Sequence, residues 1–275
     1  MTELFDPDKR PVIDLVQVNI PFSWLMDKHP DYMKIFLENR INPEIGIDAD
    51  VLDRFAQSEF RAAASKFRDA GCSFTLHGPF LDLSPGSPDS AIRAVTENRL
   101  TQTGRVAEVF LPQTIVCHAG YDETRYGFFR EQWYEKAAET WRHAARRLAE
   151  NKIRLMLENV YETDPDQLVR LFEMIDDSNI GCCLDIGHLS VFSKIPAPVW
   201  IKKLAPYIGH LHLHDNDGKS DQHLGLGRGA IDFTPLFDWL KTARPMPVIT
   251  LEPHRKDDLI QSISYLSSIL PFHSR

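Results

Sequence analysis

Six short apolar segments of the chain each end on a histidine or an acidic residue, the side chains that bind divalent metal ions. Each segment has the β-branched, apolar composition of a buried strand, where an unpartnered charge costs free energy. The six residues are His77, His118, Glu158, Asp185, His212 and Glu252. Imidazoles and carboxylates without thiolates suit Zn²⁺, Mn²⁺ or Fe²⁺. The pattern therefore predicts a metal site to which several strands contribute.

Three further candidate ligands follow in the loops after these strands. His188 comes three residues after Asp185, and Asp221 and His223 come after the seventh strand pattern. Carboxylates that are crowded together repel one another unless a cation lies between them. We therefore expect loop residues as well as strand ends to contribute to metal binding.

Some of these residues also have ordinary structural interpretations. A lone histidine at a strand end is more often hydrogen-bonded than ligating, whereas Glu158 and Glu252 end apolar strands, which favours coordination. His210, His212 and His214 alternate along one face of the seventh strand, and they cannot all be direct ligands. We favour His212 as the ligand and keep His214 as the alternative.

Four residues are candidates for contact with a substrate: Phe80, His214, Lys219 and Arg228. Lys219 and Arg228 could meet an anionic substrate or be solvated charges, and both interpretations stay open. The glycines of the segment LGLGRGAID, at 224–232, resemble a phosphate-binding loop only superficially, because the segment does not directly follow a strand. They predict a tight backbone path beside the site.

Strand and helix patterns alternate along the whole chain. Strands are predicted at Val12–Asn19, Ile45–Asp48, Ser73–His77, Thr114–His118, Arg154–Glu158, Ile180–Asp185, Gly209–His214 and Val248–Glu252. Helices are predicted at Ser23–Glu38, Val51–Ala70, Ser90–Val109, Phe129–Glu150, Pro165–Ile175, Pro198–Ala205, Pro235–Lys241 and Asp257–Leu270.

Repeated βα units form a parallel sheet with right-handed connections, and eight of them close most simply as a barrel. The prediction is a single (β/α)8 barrel domain over residues 1–275, with a doubly wound open sheet as the alternative. A barrel of this kind carries its active site at the carboxyl ends of its strands, which is where the candidate ligands fall.

The composition excludes a disordered chain, a collagen-like repeat and a coiled coil. The chain has 275 residues, 43% apolar and 25% charged, and its net charge of −8 argues weakly against non-specific binding to nucleic acid or membranes. Cys72, Cys117, Cys182 and Cys183 form no C-x-x-C pair, which predicts reduced, buried thiols of a cytoplasmic protein. We see no signal-peptide pattern and no apolar run of about 20 residues that would span a membrane.

At these residues the chain resembles the superfamily of xylose isomerase-like barrels, which includes endonuclease IV. The resemblance runs from about Pro11 to Leu270. Its motifs are HGPFLDL at 77, CHAGYD at 117, LENV at 157, CLDIGH at 183, HLHLHDNDGKSDQHLGLGRGAID at 210 and LEP at 251. The resemblance implies a (β/α)8 barrel with a divalent-metal site at its mouth.

The superfamily has two branches with different chemistry. The resemblance to sugar isomerases and epimerases implies one metal ion held by Glu158, Asp185, His212 and Glu252, with Glu158 and Glu252 transferring a proton. The resemblance to endonuclease IV implies three zinc ions, with Glu158 near the nucleophilic water. The ligands would then be His77, His118, Glu158, Asp185, His188, His212, Asp221, His223 and Glu252.

The chain also departs from both branches. Val160 stands where xylose isomerases have the lysine of a Glu-x-Lys pair. Arg228 stands where endonuclease IV often has an acidic residue, and the loop before Asp221 is shorter.

The nine matching positions favour a metal-dependent phosphodiester hydrolase with two or three Zn or Mn ions. Its substrate would be a small phosphodiester, such as the nucleotide loop of a cobamide, or abasic DNA, which the net charge does not favour. The alternative is a metal-dependent isomerase or epimerase of a sugar or sugar phosphate.

Overall fold

Eight parallel strands form a closed barrel in the computed structural model, which describes residues 4–29 and 31–269. The strands are β1 (Val16–Pro21), β2 (Asn42–Gly46), β3 (Thr75–His77), β4 (Thr114–His118), β5 (Arg154–Glu158), β6 (Ile180–Asp185), β7 (Ile208–Leu213) and β8 (Val248–Leu251). Each strand pairs with the next along the chain, and β8 pairs with β1. The predicted (β/α)8 barrel is confirmed.

Helices surround the barrel. In the described residues they are α1 (Arg10–Leu15), α2 (Asp31–Glu38), α3 (Ala49–Arg54), α4 (Gln57–Asp69), α5 (Ser90–Phe110), α6 (Glu123–Tyr126), α7 (Arg130–Ala149), α8 (Pro165–Ile175), α9 (Ile186–Phe192), α10 (Ala197–Leu204), α11 (Thr234–Leu240) and α12 (Lys256–Ile269). None of them has the length and apolar composition needed to cross a membrane. The predicted end of the last helix, Leu270, lies outside the described residues.

The first predicted strand was wrong at its start. Residues 12–15 belong to α1, and β1 begins only at Val16. Pro11 lies in the first turn of α1, where the missing N–H of proline is tolerated. Val12 and Ile13 are buried and packed into the apolar core, so their composition looked like that of a strand.

Two predicted helices are each divided. The helix predicted at 23–38 consists of a π-helical turn, Trp24–Lys28, and then α2. The helix predicted at 51–70 is interrupted at Phe55 and Ala56, whose backbones are extended. The Phe55 ring lies 5.1 Å from that of Phe22, so tertiary packing overrides the local helical preference.

The second strand begins at Asn42, three residues earlier than predicted. Its register pairs Asn19 with Glu44, which places Glu44 inside β2 rather than in a loop. The other six strands lie within two residues of their predicted bounds.

The barrel wall separates two packing regions. The main apolar core lies between strands and helices and includes Cys117 and Cys182. A separate apolar cluster of only Val116, Met156 and Cys183 forms within the described residues. All four cysteines are free and buried, as predicted.

Candidate metal centre

Glu158 lies at the centre of the candidate site, at the carboxyl end of β5. Its carboxylate is buried and contacts four imidazoles. The distances from its oxygens are 3.1 Å to His77 Nε2, 3.6 Å to His118 Nε2, 3.1 Å to His188 Nδ1 and 3.4 Å to His212 Nδ1. Burial raises the pKa of Glu158, but the charge of His212 and the close contact with His188 outweigh it and hold the pKa well below its usual range. The carboxylate is therefore available to bind a cation at neutral pH.

An inner group of four residues brings three carboxylates and one imidazole together. The ligand atoms of Glu158, Asp185, His212 and Glu252 all lie within 4.8 Å of one another. His212 Nδ1 lies 3.2 Å from Glu252 Oε1 and 3.9 Å from Asp185 Oδ2. Three buried carboxylates at this separation need a positive charge among them.

An outer group adjoins the inner one at Asp185. The ligand atoms of His188, His214, Asp221 and His223 also lie within 4.8 Å of one another. His214 Nε2 lies 3.3 Å from Asp185 Oδ1 and 3.5 Å from Asp221 Oδ1. The rings of His214 and His223 stack with their centroids 3.9 Å apart. His214 thus belongs to the outer group, whereas His212 belongs to the inner one.

A third group forms on the other side of Glu158. Ligand atoms of His77, Glu158 and His212 lie within 4.8 Å, and the ring of His118 is 5.3 Å from that of His77. His77 Nδ1 donates a hydrogen bond to the carbonyl oxygen of Gly78, which leaves Nε2 facing Glu158. A backbone contact of this kind fixes the orientation and tautomer of a ligating histidine.

Two imidazoles of the site have opposite pKa shifts. Burial lowers the pKa of His118 to about 4, so its ring is neutral at neutral pH. Burial also lowers the pKa of His223, but the hydrogen bond to Asp221 and the charge of Glu252 raise it to about 9. A metal ion binding to His223 must therefore displace a proton.

The donor atoms fit divalent cations. Buried side-chain polar atoms without a hydrogen-bond partner in the described residues include Asp185 Oδ2, His212 Nδ1 and both ring nitrogens of His214. His212 Nε2, which also lacks hydrogen-bond geometry, lies 2.9 Å from Glu44 Oε1. Buried polar atoms without partners are rare, and a bound ion is one of the ordinary explanations. A nitrogen and oxygen donor set suits Zn²⁺ or Mn²⁺.

The loop after β7 delivers Asp221 and His223 to the site, and buried Asp215 organises it. Asp215 Oδ2 accepts hydrogen bonds from the backbone N–H groups of Gly227 and Gly229, at 3.0 and 2.9 Å. A Cβ atom on Gly229 would lie 2.3 Å from the carbonyl oxygen of Asn216. The glycines thus allow the tight backbone path that the sequence predicted.

The predicted substrate-binding residues lie in different surroundings. Phe80 is 49% exposed, and its ring lies 6.0 Å from that of His118, at the edge of the centre. Lys219 is exposed in the loop before Asp221. Arg228 Nη1 forms an ion pair with Asp258 Oδ1 at 2.9 Å.

Sequence reasoning missed Glu44, the buried carboxylate beneath the centre. Its Oε1 lies 2.9 Å from His212 Nε2. Burial raises its pKa, but the charge of His212 outweighs burial and lowers it. The strand pattern beginning at Asn42 was the signal that could have found it. His254, whose ring stacks 4.2 Å from that of His223, was also missed.

Comparison with known proteins identifies the family of this chain. The family model described as xylose isomerase-like TIM barrel matches residues 32–269, and the chain belongs to this family. A probable endonuclease 4 of Mycobacterium leprae is 28% identical, and the match covers 83% of this chain and 88% of that protein. The uncharacterised protein MJ1614 of Methanocaldococcus jannaschii is 30% identical over 72% of this chain and 77% of its own.

Solved structures give the same fold. The TTHB071 protein of Thermus thermophilus, from a crystal soaked with ZnCl2, is 27% identical and has a TM-score of 0.76. That match covers 93% of this chain and 97% of the other. A D-tagatose 3-epimerase-like protein, 22% identical with a TM-score of 0.79, covers 92% of this chain and 97% of its own.

Proposed function

We propose that the chain is a metal-dependent phosphodiester hydrolase. The observation that carries this proposal is the extent of the cluster around Glu158. One ion would need only the inner group, but His77, His118 and His188 also contact Glu158, and Asp221 contacts His188. A multimetal centre suits hydrolysis of a phosphodiester, where charge develops on both the attacking and the leaving oxygen.

Nine residues would hold the ions. We propose His77, His118 and Glu158 for one group, Glu158, Asp185, His212 and Glu252 for the second, and His188, Asp221 and His223 for the third. Bound ions would lower the pKa of a water molecule and offset the negative charge of the phosphodiester. Glu158, which is shared between the first two groups, would orient that water and accept its proton. Glu252 would help to orient the same water from the opposite side.

Substrate binding would use the rim of the centre. Phe80, beside His118, offers an exposed aromatic face for a base or sugar. A net charge of −8 gives no general attraction for nucleic acid, so a small phosphodiester such as a cobamide nucleotide loop is favoured over abasic DNA.

The first test is the metal content of protein purified without chelator or metal-affinity tag. We expect two or three zinc, manganese or iron ions per chain. Hydrolysis of bis(p-nitrophenyl) phosphate should then be lost in His118→Ala and His223→Ala, and retained in His143→Ala, which removes a histidine of α7 outside the centre. Full activity in both cluster variants would contradict the multimetal mechanism. An abasic oligonucleotide and a cobamide then identify the substrate.

One observation favours a second function, sugar epimerisation. The inner group alone supplies one ion site flanked by two glutamates, Glu158 and Glu252. A single ion per chain, together with deuterium exchange from solvent into a ketose that Glu158→Gln and Glu252→Gln abolish, would replace the hydrolase proposal. The remaining histidines would then orient the sugar.

A further inference from the structure

Glu44 lies inside the barrel, one level below the metal centre. It is completely buried, and its two carboxylate oxygens have different partners. Oε2 accepts hydrogen bonds from the hydroxyls of Thr75 and Thr250, at 2.9 and 3.0 Å. Oε1 faces His212 Nε2 at 2.9 Å and accepts a longer hydrogen bond from Asn19 Nδ2 at 3.3 Å. One oxygen is therefore anchored while the other is directed at His212.

His212 lies between this carboxylate and the centre. With Nε2 toward Glu44, its Nδ1 faces Glu252 Oε1 at 3.2 Å and Glu158 Oε1 at 3.4 Å. A ligating histidine almost always gives its other ring N–H to a carboxylate, a carbonyl oxygen or water, which fixes the ring and strengthens the donor nitrogen. We propose that Glu44 is a positioning residue that holds His212 with Nδ1 directed toward the ion of the inner group. This inference rests on the proposed metal centre.

His210 contacts Thr250, whose hydroxyl donates a hydrogen bond to Glu44 Oε2. Its Nδ1 lies 2.9 Å from Thr114 Oγ1, and its Nε2 lies 2.7 Å from Thr250 Oγ1. Because the Thr250 hydroxyl donates to Glu44, it must accept from His210 Nε2–H, and Thr114 then donates to His210 Nδ1. Both nitrogens of His210 thus contact threonine hydroxyls, and Nε2 also lies 3.3 Å from Glu44 Oε2, whereas the ring nitrogens of His212 lie close to the carboxylates of Glu44, Glu158 and Glu252.

The decisive variant is Glu44→Gln, which keeps the size of the side chain and removes its charge. Affinity for Zn²⁺ and Co²⁺ would be measured by competition with a chromogenic chelator, without substrate. We expect the ion of the inner group to bind about 10- to 100-fold more weakly, the usual cost of losing such a partner. The matched control is Thr75→Val, which removes a neutral donor to the same carboxylate and should change this affinity less than about threefold.

A double-variant cycle separates positioning of His212 from general loosening of the barrel. In a His212→Gln background, Glu44→Gln should weaken binding no further, because its effect passes through the missing imidazole. Equal weakening in both backgrounds, or unchanged affinity in Glu44→Gln, would overturn the proposal. If Glu44→Gln does not fold, Glu44→Asp, which keeps the charge but draws it back from His212, should weaken binding in the same way. A wild-type chain that binds no metal would refute the proposed function itself.

Discussion

The two sides of the barrel wall have opposite chemistry. Toward the helices, the strands pack into one large apolar core, with rings such as Phe22, Phe60 and Phe110 in mutual contact. The interior has a small apolar cluster, Val116, Met156 and Cys183, and it also holds Glu44 and His212, completely buried and in contact with each other. Apolar packing stabilises a fold in proportion to buried area, whereas buried charges contribute little net stability and are kept for what they bind. Substitutions on the helix side of the wall should therefore lower stability and leave activity unchanged. Substitutions in the interior should lower activity and leave the fold intact.

The largest effect is expected on the inner side, from Glu158→Gln. Replacing the carboxylate that contacts four imidazoles should reduce phosphodiester hydrolysis about 10⁴-fold, since residues that act as one unit lose most of the rate together. Metal content should fall in the same preparation, while circular dichroism stays that of the folded barrel. Activity within tenfold of the wild type would mean that Glu158 is not central to the chemistry.

On the outer side, Phe110→Ala should lower stability and leave the site intact. The Phe110 ring is 1% exposed and lies 5.4 Å from that of Phe74, so truncation leaves a cavity. We expect a loss of about 3–5 kcal/mol in the free energy of unfolding, measured with urea. Metal content per folded chain should be unchanged. Loss of metal from folded Phe110→Ala would show that packing on the helix side and metal binding in the interior are not independent.

Glu162 provides a contrast with Glu158, because it is a buried carboxylate without a hydrogen bond to any imidazole of the described residues. Burial raises its pKa to about 7, although the N–H groups of Val160 and Tyr121 donate to it. The folded state thus holds this proton more tightly than the unfolded state, whose pKa is the ordinary 4.5. Its stabilising contribution is complete below pH 4.5 and is lost as pH rises toward 7, by up to about 3 kcal/mol.

The measurement is the free energy of unfolding of wild type and Glu162→Gln from about pH 4 to about pH 8, a window that spans both pKa values. The variant has no titrating group at position 162. The free energy of unfolding of the wild type relative to the variant should therefore fall as pH rises. The lost acceptor oxygen adds an offset that does not depend on pH. A constant difference between wild type and Glu162→Gln would show that folding does not change the pKa of Glu162.

The smallest effect is expected from Arg228→Gln, at the edge of the site. The ion pair with Asp258 leaves the Arg228 side chain 40% exposed, and such pairs contribute about 1 kcal/mol or less. We expect activity within about twofold of the wild type. A tenfold rise in KM for an anionic phosphodiester, with unchanged stability, would instead assign Arg228 to substrate binding.

The sequence was sufficient to predict those features of the structure that a local residue pattern determines. Alternation of strand and helix patterns predicted the barrel, and the residues that end β5 and β6, Glu158 and Asp185, fell at the mouth because parallel strands share one carboxyl edge. Their roles as metal ligands stay predictions. The start of β2 was misplaced because Pro43 lies inside the strand, where proline is normally disfavoured. That shift concealed Glu44.

The sequence by itself determined the fold class and the set of candidate donor atoms, because both follow from periodicity and residue type. Only the tertiary structure decided how those atoms are grouped. His212 and His214 are equivalent by alternation, yet one faces Glu158 and Glu252 while the other faces Asp185 and Asp221. Successive inward positions of one strand lie at different heights in a barrel, and the neighbours at each height come from strands far apart in the chain.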